Sequence, residues 1–186
     1  MNEVIKTLLE RRAVRKYQDK PVSREDLELI VKCGQYAATG MGRQPWHFAV
    51  VTDPAILQKI TDANAALVLD DPKAPPHMKE SVRNGSFDTF RGAPCAVLVS
   101  GDGTDSSTIA DCANAVENMA IAAKSLGLDS CYLASHQICL NHPSGGELKK
   151  LLGVPEGYTP NFALAIGYGD MNPVAAPRKE GTVTWL

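Results

Sequence analysis

The chain of 186 residues has no apolar run approaching the ~20 residues that a membrane-spanning helix needs. It has almost no net charge, −2 from 19 basic and 21 acidic side chains, so no overall field draws it to nucleic acid or to an anionic membrane. An anion that binds here must meet a local cluster of cations. The cysteine pattern of a redox or zinc motif is also missing: there are five cysteines, an odd number, and no C-x-x-C pair. Cys33, Cys95, Cys112, Cys131 and Cys139 lie in apolar segments, which predicts buried free thiols in a reducing cytoplasm. His47, His77, His136 and His142 lack ligand spacing. Cys131, His136 and Cys139 lack the second close pair of a zinc site, so no metal is expected. The segment Met1–Lys6 has an early acidic residue and a helical apolar pattern, unlike a signal peptide. Without repeats or low-complexity tracts, residues 1–186 read as one domain with no linker.

What is present is a regular alternation of helix and strand signals. Val4, Ile5, Leu8 and Leu9 place a helix over about residues 2–12. Ser23 and Asp26 form a capping box, with Val22 and Leu27 as a hydrophobic staple, and Leu27, Ile30, Val31, Gly34 and Ala38 then recur at helical spacing. Phe48–Thr52 is a β-branched strand, and Asp53-Pro54 opens a helix through Ile56, Leu57 and Ile60. Prolines 72, 75 and 76 break the chain before a further helix, and Ala96–Ser100 is a second strand. Residues 107–127 carry a long apolar stripe rich in alanine, closed by Gly127. Cys131–Ser135 and Phe162–Tyr168 supply two more strands around a short helix at Glu147–Leu152. Strands alternating with helices predict a layered α/β or α+β sandwich. Val183 and Trp185 on a proline-containing arm need a surface to cover, which motivates a dimer with exchanged arms; packing on the arm's own domain is the alternative.

Two segments stand out chemically. Arg11, Arg12, Arg15 and Lys16 place four cations in six residues, either to complement a helix C-terminus or to grip phosphate through bidentate guanidinium contacts. Thr39-Gly40-Met41-Gly42-Arg43-Gln44-Pro45-Trp46 offers glycines that let backbone approach a flat ligand, and an amide at Gln44 for polar ring edges. Gly101–Ser106 follows a strand and precedes a helix, the context of a dinucleotide-binding turn. Its third glycine is replaced by Ser106, and capping by Thr104–Ser107 explains it better.

The pattern R-R-x-x-R-x-Y at Arg11–Tyr17, with Q-P-W-x-F at Gln44–Phe48 about 30 residues later, resembles the FMN-dependent nitroreductase family. Asp111–Met119 leading to Ser125–Ser130, Leu151–Tyr158 followed by Ala165–Gly169, and Pro177-Arg178-Lys179 agree in order, so the resemblance spans nearly the whole chain and is weakest over 64–92. It implies an α+β sandwich with a mainly antiparallel sheet flanked by helices, and a homodimer with FMN at the subunit interface. Arg11, Arg12, Ala13 and Arg15 match residues around the flavin's phosphate, ribityl chain and pyrimidine edge; Arg178 matches a second phosphate contact. Leu133, Ala134 and Ser135 match the strand end beside the ring, and Thr39, Gly40 and Gly42, with Gln44 close by, match a turn from the partner subunit. Where the family usually has serine and asparagine, this chain has Ala13 and Gly42.

The implied reaction is a ping-pong cycle. NADH or NADPH delivers hydride to the flavin N5, and a nitroaromatic, quinone or similar electron-poor acceptor then takes its place. Arg15 stabilises negative charge on the reduced ring, and no other side chain is required as acid, base or nucleophile. The rival readings are an FMN-binding dimer that stores or senses flavin, and a Rossmann-type NAD dehydrogenase built on Gly101–Ser106. Phe87, Phe90, His77 and Met78 fall in the weakly matched region, either packing or forming a substrate lid.

Overall fold

The computed structural model describes residues 1–103 and 105–186. Among the described residues, seven α-helices and four strands run in the order α1 (Glu3–Glu10), α2 (Arg24–Gln35), β1 (Trp46–Val51), α3 (Pro54–Asp70), α4 (Pro76–Arg83), β2 (Cys95–Gly101), α5 (Ser106–Ser125), β3 (Asp129–Leu133), α6 (Gln137–Leu140), α7 (Gly146–Leu151) and β4 (Thr159–Gly167). The strands form one sheet in the order β1-β2-β4-β3, every pair antiparallel. This is the α+β sandwich expected.

Period-two alternation divides the interior. Ala96, Leu98, Ala163 and Ala165 join Leu57, Ile60, Phe90, Leu140 and Leu152 on the side of α3, α6 and α7. Cys95, Val97, Val99, Leu164 and Ile166 join Leu27, Ile30, Val116, Met119 and Ala123 on the side of α2 and α5. Covered on both faces, β2 is buried along its whole length, which is why it reads as a continuous apolar run.

The caps follow the sequence closely. Ser23 Oγ accepts from the Asp26 N–H at 3.0 Å, but the box is not reciprocal, because the shorter aspartate accepts from the Ser23 hydroxyl instead (2.8 Å). Asp53 accepts from Ala55 N–H at 2.8 Å, with Pro54 in the first turn. α5 ends in a Schellman turn: Leu128 N–H donates to Ala123 O, and Gly127 N–H to Lys124 O, with Gly127 left-handed at φ 77°.

The differences are local. α2 stops at Gln35, so Ala38 lies past its end and not on its stripe. On α5, Ile109 is exposed while Asp111 and Thr108 are buried. β3 starts and ends two residues earlier than expected, leaving Ala134 and Ser135 beyond the strand. α3 runs on to Asp70 because no breaker precedes Pro72. Phe90 is buried core, Phe87 and Met78 are half-buried, and His77 is exposed.

Candidate functional site

The arginine segment belongs to an extended stretch lying beside the sheet. α1 ends at Glu10, and Ala13 then forms a parallel bridge to Ser130 of β3, with Val14 N–H donating to Ser130 O at 2.9 Å. Tyr17 bridges Gly169, its hydroxyl donates to Val14 O at 2.8 Å, and Lys16 pairs with Asp170. Arg15 N–H points to Met171 Sδ at 3.2 Å. Only Arg12 serves the end of α1 in the way a helix-end cation does, its Nη1 donating to Leu9 O (2.6 Å) and Arg11 O (2.7 Å). Arg11 Nε lies 3.3 Å from Glu117 Oε1, yet it is buried with no hydrogen-bond partner. Leaving a buried donor unsatisfied costs about 1–3 kcal/mol, and the Glu117 carboxylate beside Arg11 Nε offsets part of that through charge. Burial pushes the Cys131 thiol up, against the nearby charges of Arg15 and Arg91, which places Arg15 alongside β3.

At the end of β3, Leu133 is buried and Ala134 exposed. Ser135 Oγ donates to Thr89 O at 3.3 Å, so its hydroxyl hydrogen is already committed. Thr89 is in turn held by Asn64 (2.9 Å), whose carbonyl oxygen accepts from Cys139 N–H at 2.8 Å. This buried network fixes the strand end from behind. His136, next in sequence, is fully buried, and neither ring nitrogen has a partner among the described residues; burial lowers its pKa to about 4.

The turn at 39–44 is a 3-10 turn at Gly40–Gly42 followed by Arg43 and Gln44. Met41, Gly42 and Gln44 are all left-handed, at φ 55°, 69° and 50°. For the two with side chains that conformation costs roughly 1–2 kcal/mol each, so something must hold it. The holders are Asp111, which accepts from Gly40 N–H at 3.1 and 3.3 Å, Thr39 Oγ1, which accepts from Gln44 N–H at 3.4 Å, and Asp102, which pairs with Arg43 at 3.3 Å. A Cβ added at Gly40 or Gly42 meets nothing within 4 Å, so a flat ligand can approach here. A concave surface lined by Gln35, Tyr36, Thr39, Gly42, Gln44 and Trp46 opens beside the turn. His47 Nδ1 is buried without a partner, and burial lowers its pKa.

The two groups do not meet within one chain. Arg11–Arg15 run along β3, while the turn feeds β1, and these strands are opposite edges of the sheet. Three strand spacings, roughly 14 Å, separate the edges. Arg178 lies on the exposed tail.

Three residues of this region were not singled out from the sequence as site residues: Asp111, Glu117 and Asn114, which donates to Ala38 O at 3.3 Å. Their signal was polar side chains interrupting the apolar stripe of α5. The dinucleotide-turn reading of Gly101–Ser106 is overturned. The sheet is antiparallel, and Gly101 is packed inside β2, where a Cβ would lie 2.4 Å from Thr108 Cγ2. The N-terminus of α5 is filled by the Asp105 carboxylate, which accepts from Ser107 and Thr108 N–H, both at 3.0 Å; the Ser107 hydroxyl first, and then the Thr108 N–H and hydroxyl, hold its pKa below the usual carboxylate range. Asp105 is therefore the cap within Thr104–Ser107, and Thr104 itself lies outside the described residues.

Among the described residues no three histidine, cysteine or acidic side chains converge in a way that could hold a metal ion, and no helix is long and apolar enough to cross a membrane. The sequence model of the Nitroreductase family matches residues 8–168. A nitroreductase with bound FMN from Bacteroides fragilis superposes with a TM-score of 0.92 at 30% identity, covering 100% of both chains. A second, with bound FMN from Desulfitobacterium hafniense, gives 0.91 at 26% identity, covering 100% of this chain and 99% of that one. An NADPH-flavin oxidoreductase of Vibrio harveyi is 26% identical over 180 residues, 96% of this chain and 70% of that protein. With a family match over most of its length and the same fold throughout, the chain belongs to the nitroreductase family.

Proposed function

We propose that this chain is an FMN-dependent oxidoreductase that uses NADH or NADPH to reduce nitroaromatics, quinones or similar electron-poor acceptors, and that it works as a homodimer. One observation carries the reading: two flavin-suited groups of residues sit on opposite edges of one sheet, so a complete site needs an edge from each of two chains. Arg11, Arg12, Ala13 and Arg15, with Leu133, Ala134 and Ser135, form one half. Thr39, Gly40, Gly42 and Gln44 of a second copy form the other, and Arg178 reaches in from a tail. The residues fit FMN: Arg11, Arg12 and Arg15 gather guanidinium groups along one sheet edge, and the glycine turn leaves open space for a ring.

Bound FMN supplies a redox-active ring that takes hydride from the nicotinamide and passes it to the acceptor. The chain's own part is to hold and to tune. Arg11 and Arg12 neutralise phosphate, and Arg12 keeps donors free beyond the bonds to Leu9 and Arg11. Arg15, held beside β3, places positive charge where it favours the reduced ring's added negative charge. Ser135 and Gly40, whose donors are already committed, contribute acceptor groups and close approach.

Support for the dimer comes from surface that one chain leaves bare. Val4, Ile5, Leu8 and Leu9 on α1 are 46–63% exposed, and no residue of α1 is buried. Trp185 is 92% exposed on the tail. The free edge of β1, beside a groove lined by Val22, Leu27, Val31 and Val50, is a place for a neighbour's arm. We read residues 1–186 as one domain, and the free, mostly buried thiols suit a cytoplasmic setting. The test is direct: protein purified with FMN is yellow and oxidises NADH or NADPH in the presence of menadione or a nitrofuran. Flavin-loaded protein with no turnover would point to flavin storage or sensing instead.

A further inference from the structure

α5 carries three polar side chains on one face at spacings i, i+3 and i+7, and each grips main chain of the segment that leads into the site. Asn118 donates to Cys33 O at 3.2 Å, Asn114 to Ala38 O at 3.3 Å, and Asp111 accepts from Gly40 N–H at 3.1 and 3.3 Å. The third contact differs in kind from the others. Asp111 is 5% exposed, and a buried carboxylate with one neutral donor is a poor way to stabilise a helix face that Ala115 and Met119 cover with apolar groups. Its one hydrogen-bond partner among the described residues, Gly40 N–H, is the first amide of the turn whose Met41, Gly42 and Gln44 are held left-handed. A carboxylate is the acceptor that can restrain such a turn most strongly through one hydrogen bond.

We propose that Asp111 is a positioning residue for the flavin site: it fixes the Gly40–Gln44 turn in the shape that meets the flavin, and it acts on the site formed with a second copy. The inference rests on the proposed placement of that turn against the flavin. It also sets a functional reason for glycine at position 40: the amide is turned back to α5, and the ligand side stays free of any side chain.

The experiment compares Asp111→Ala, Asp111→Asn and Asn118→Ala in the flavin-loaded dimer and after flavin removal. Hydrogen exchange of a peptide covering 38–45, FMN dissociation constants and thermal midpoints are read for each. In Asp111→Ala, exchange in 38–45 rises about tenfold with and without flavin, and FMN binds about tenfold more weakly, the effect of one charge-assisted hydrogen bond. Asp111→Asn, which keeps an acceptor oxygen without its charge, falls between Asp111→Ala and wild type in both readouts. Asn118→Ala lowers the thermal midpoint while FMN affinity stays at the wild-type value. Gly40→Pro removes the same bond from the donor side, at a position where the preceding Thr39 is already extended (φ −130°, ψ 151°), and reproduces the exchange change should Asp111→Ala not fold. Wild-type exchange in both Asp111→Ala and Gly40→Pro, or an FMN loss in Asn118→Ala equal to that in Asp111→Ala, overturns the proposal. Wild-type protein whose exchange in 38–45 does not respond to FMN refutes the flavin placement separately.

Discussion

His136 shows how much one side chain can depend on its surroundings. It is fully buried with both ring nitrogens unpartnered, and burial holds its pKa near 4, below the ~6.5 of an unfolded imidazole. Between those values the unfolded chain binds a proton that the folded chain does not. Above about pH 6.5 the ring is neutral in both states and adds no pH dependence; as pH falls from there toward 4 the folded state loses stability, by at most ~1.4 kcal/mol per pH unit. His136→Leu should flatten that part of the thermal-midpoint profile between pH 7 and 4.5; a slope equal to wild type would show that other groups carry the dependence. Arg15 is the residue whose effect should be kinetic. Replacing it with alanine should slow flavin reduction by NADPH about tenfold or more while weakening FMN binding less, because its charge favours the reduced ring. Stopped-flow reduction measures this, and an unchanged rate refutes the assigned role.

At the scale of elements, the contact between α2 and α5 sets where the 39–44 turn begins. Gly34 lets the helices approach closely: a Cβ there would sit 2.8 Å from Met119 Cγ and 3.4 Å from Ala115 O. Gly34→Ala should be tolerated through movement of the flexible Met119, whereas Gly34→Val should destabilise by roughly 1–3 kcal/mol from overpacking. Chemical denaturation separates the two; equal stability of both variants would show that the helices part easily. The elements themselves were mostly legible. Asp53-Pro54 and Ser23–Asp26 mark helix starts through their own local hydrogen bonds, and Gly127 marks a stop through its left-handed backbone. The end of β3 was not, because Ala134 and Ser135 continue the strand's composition and leave it only where Ser135 turns to bond Thr89.

For the whole molecule, the bare face of α1 and the exposed tail are the features on which the proposed dimer rests. Removing residues 173–186 should shift the protein toward monomer in sedimentation at micromolar concentration and release FMN, since the tail carries both Trp185 and Arg178. A truncated chain that stays dimeric and yellow would exclude the exchanged arm.

The sequence alone determined what depends on near neighbours along the chain or on residue identity: the caps, the alternation of helix and strand, the density of cations at Arg11–Lys16, and the glycines before Gln44-Pro45-Trp46. The tertiary structure decided what depends on distant partners. It placed the arginines along β3, on an edge opposite the turn, paired Arg11 with Glu117 of α5, and brought Asp111 to Gly40 across 71 positions. Capping and periodicity are local interactions, readable within a few residues. A hydrogen bond between a helix and a turn so far apart is fixed only when the sheet and its packed layers bring them together.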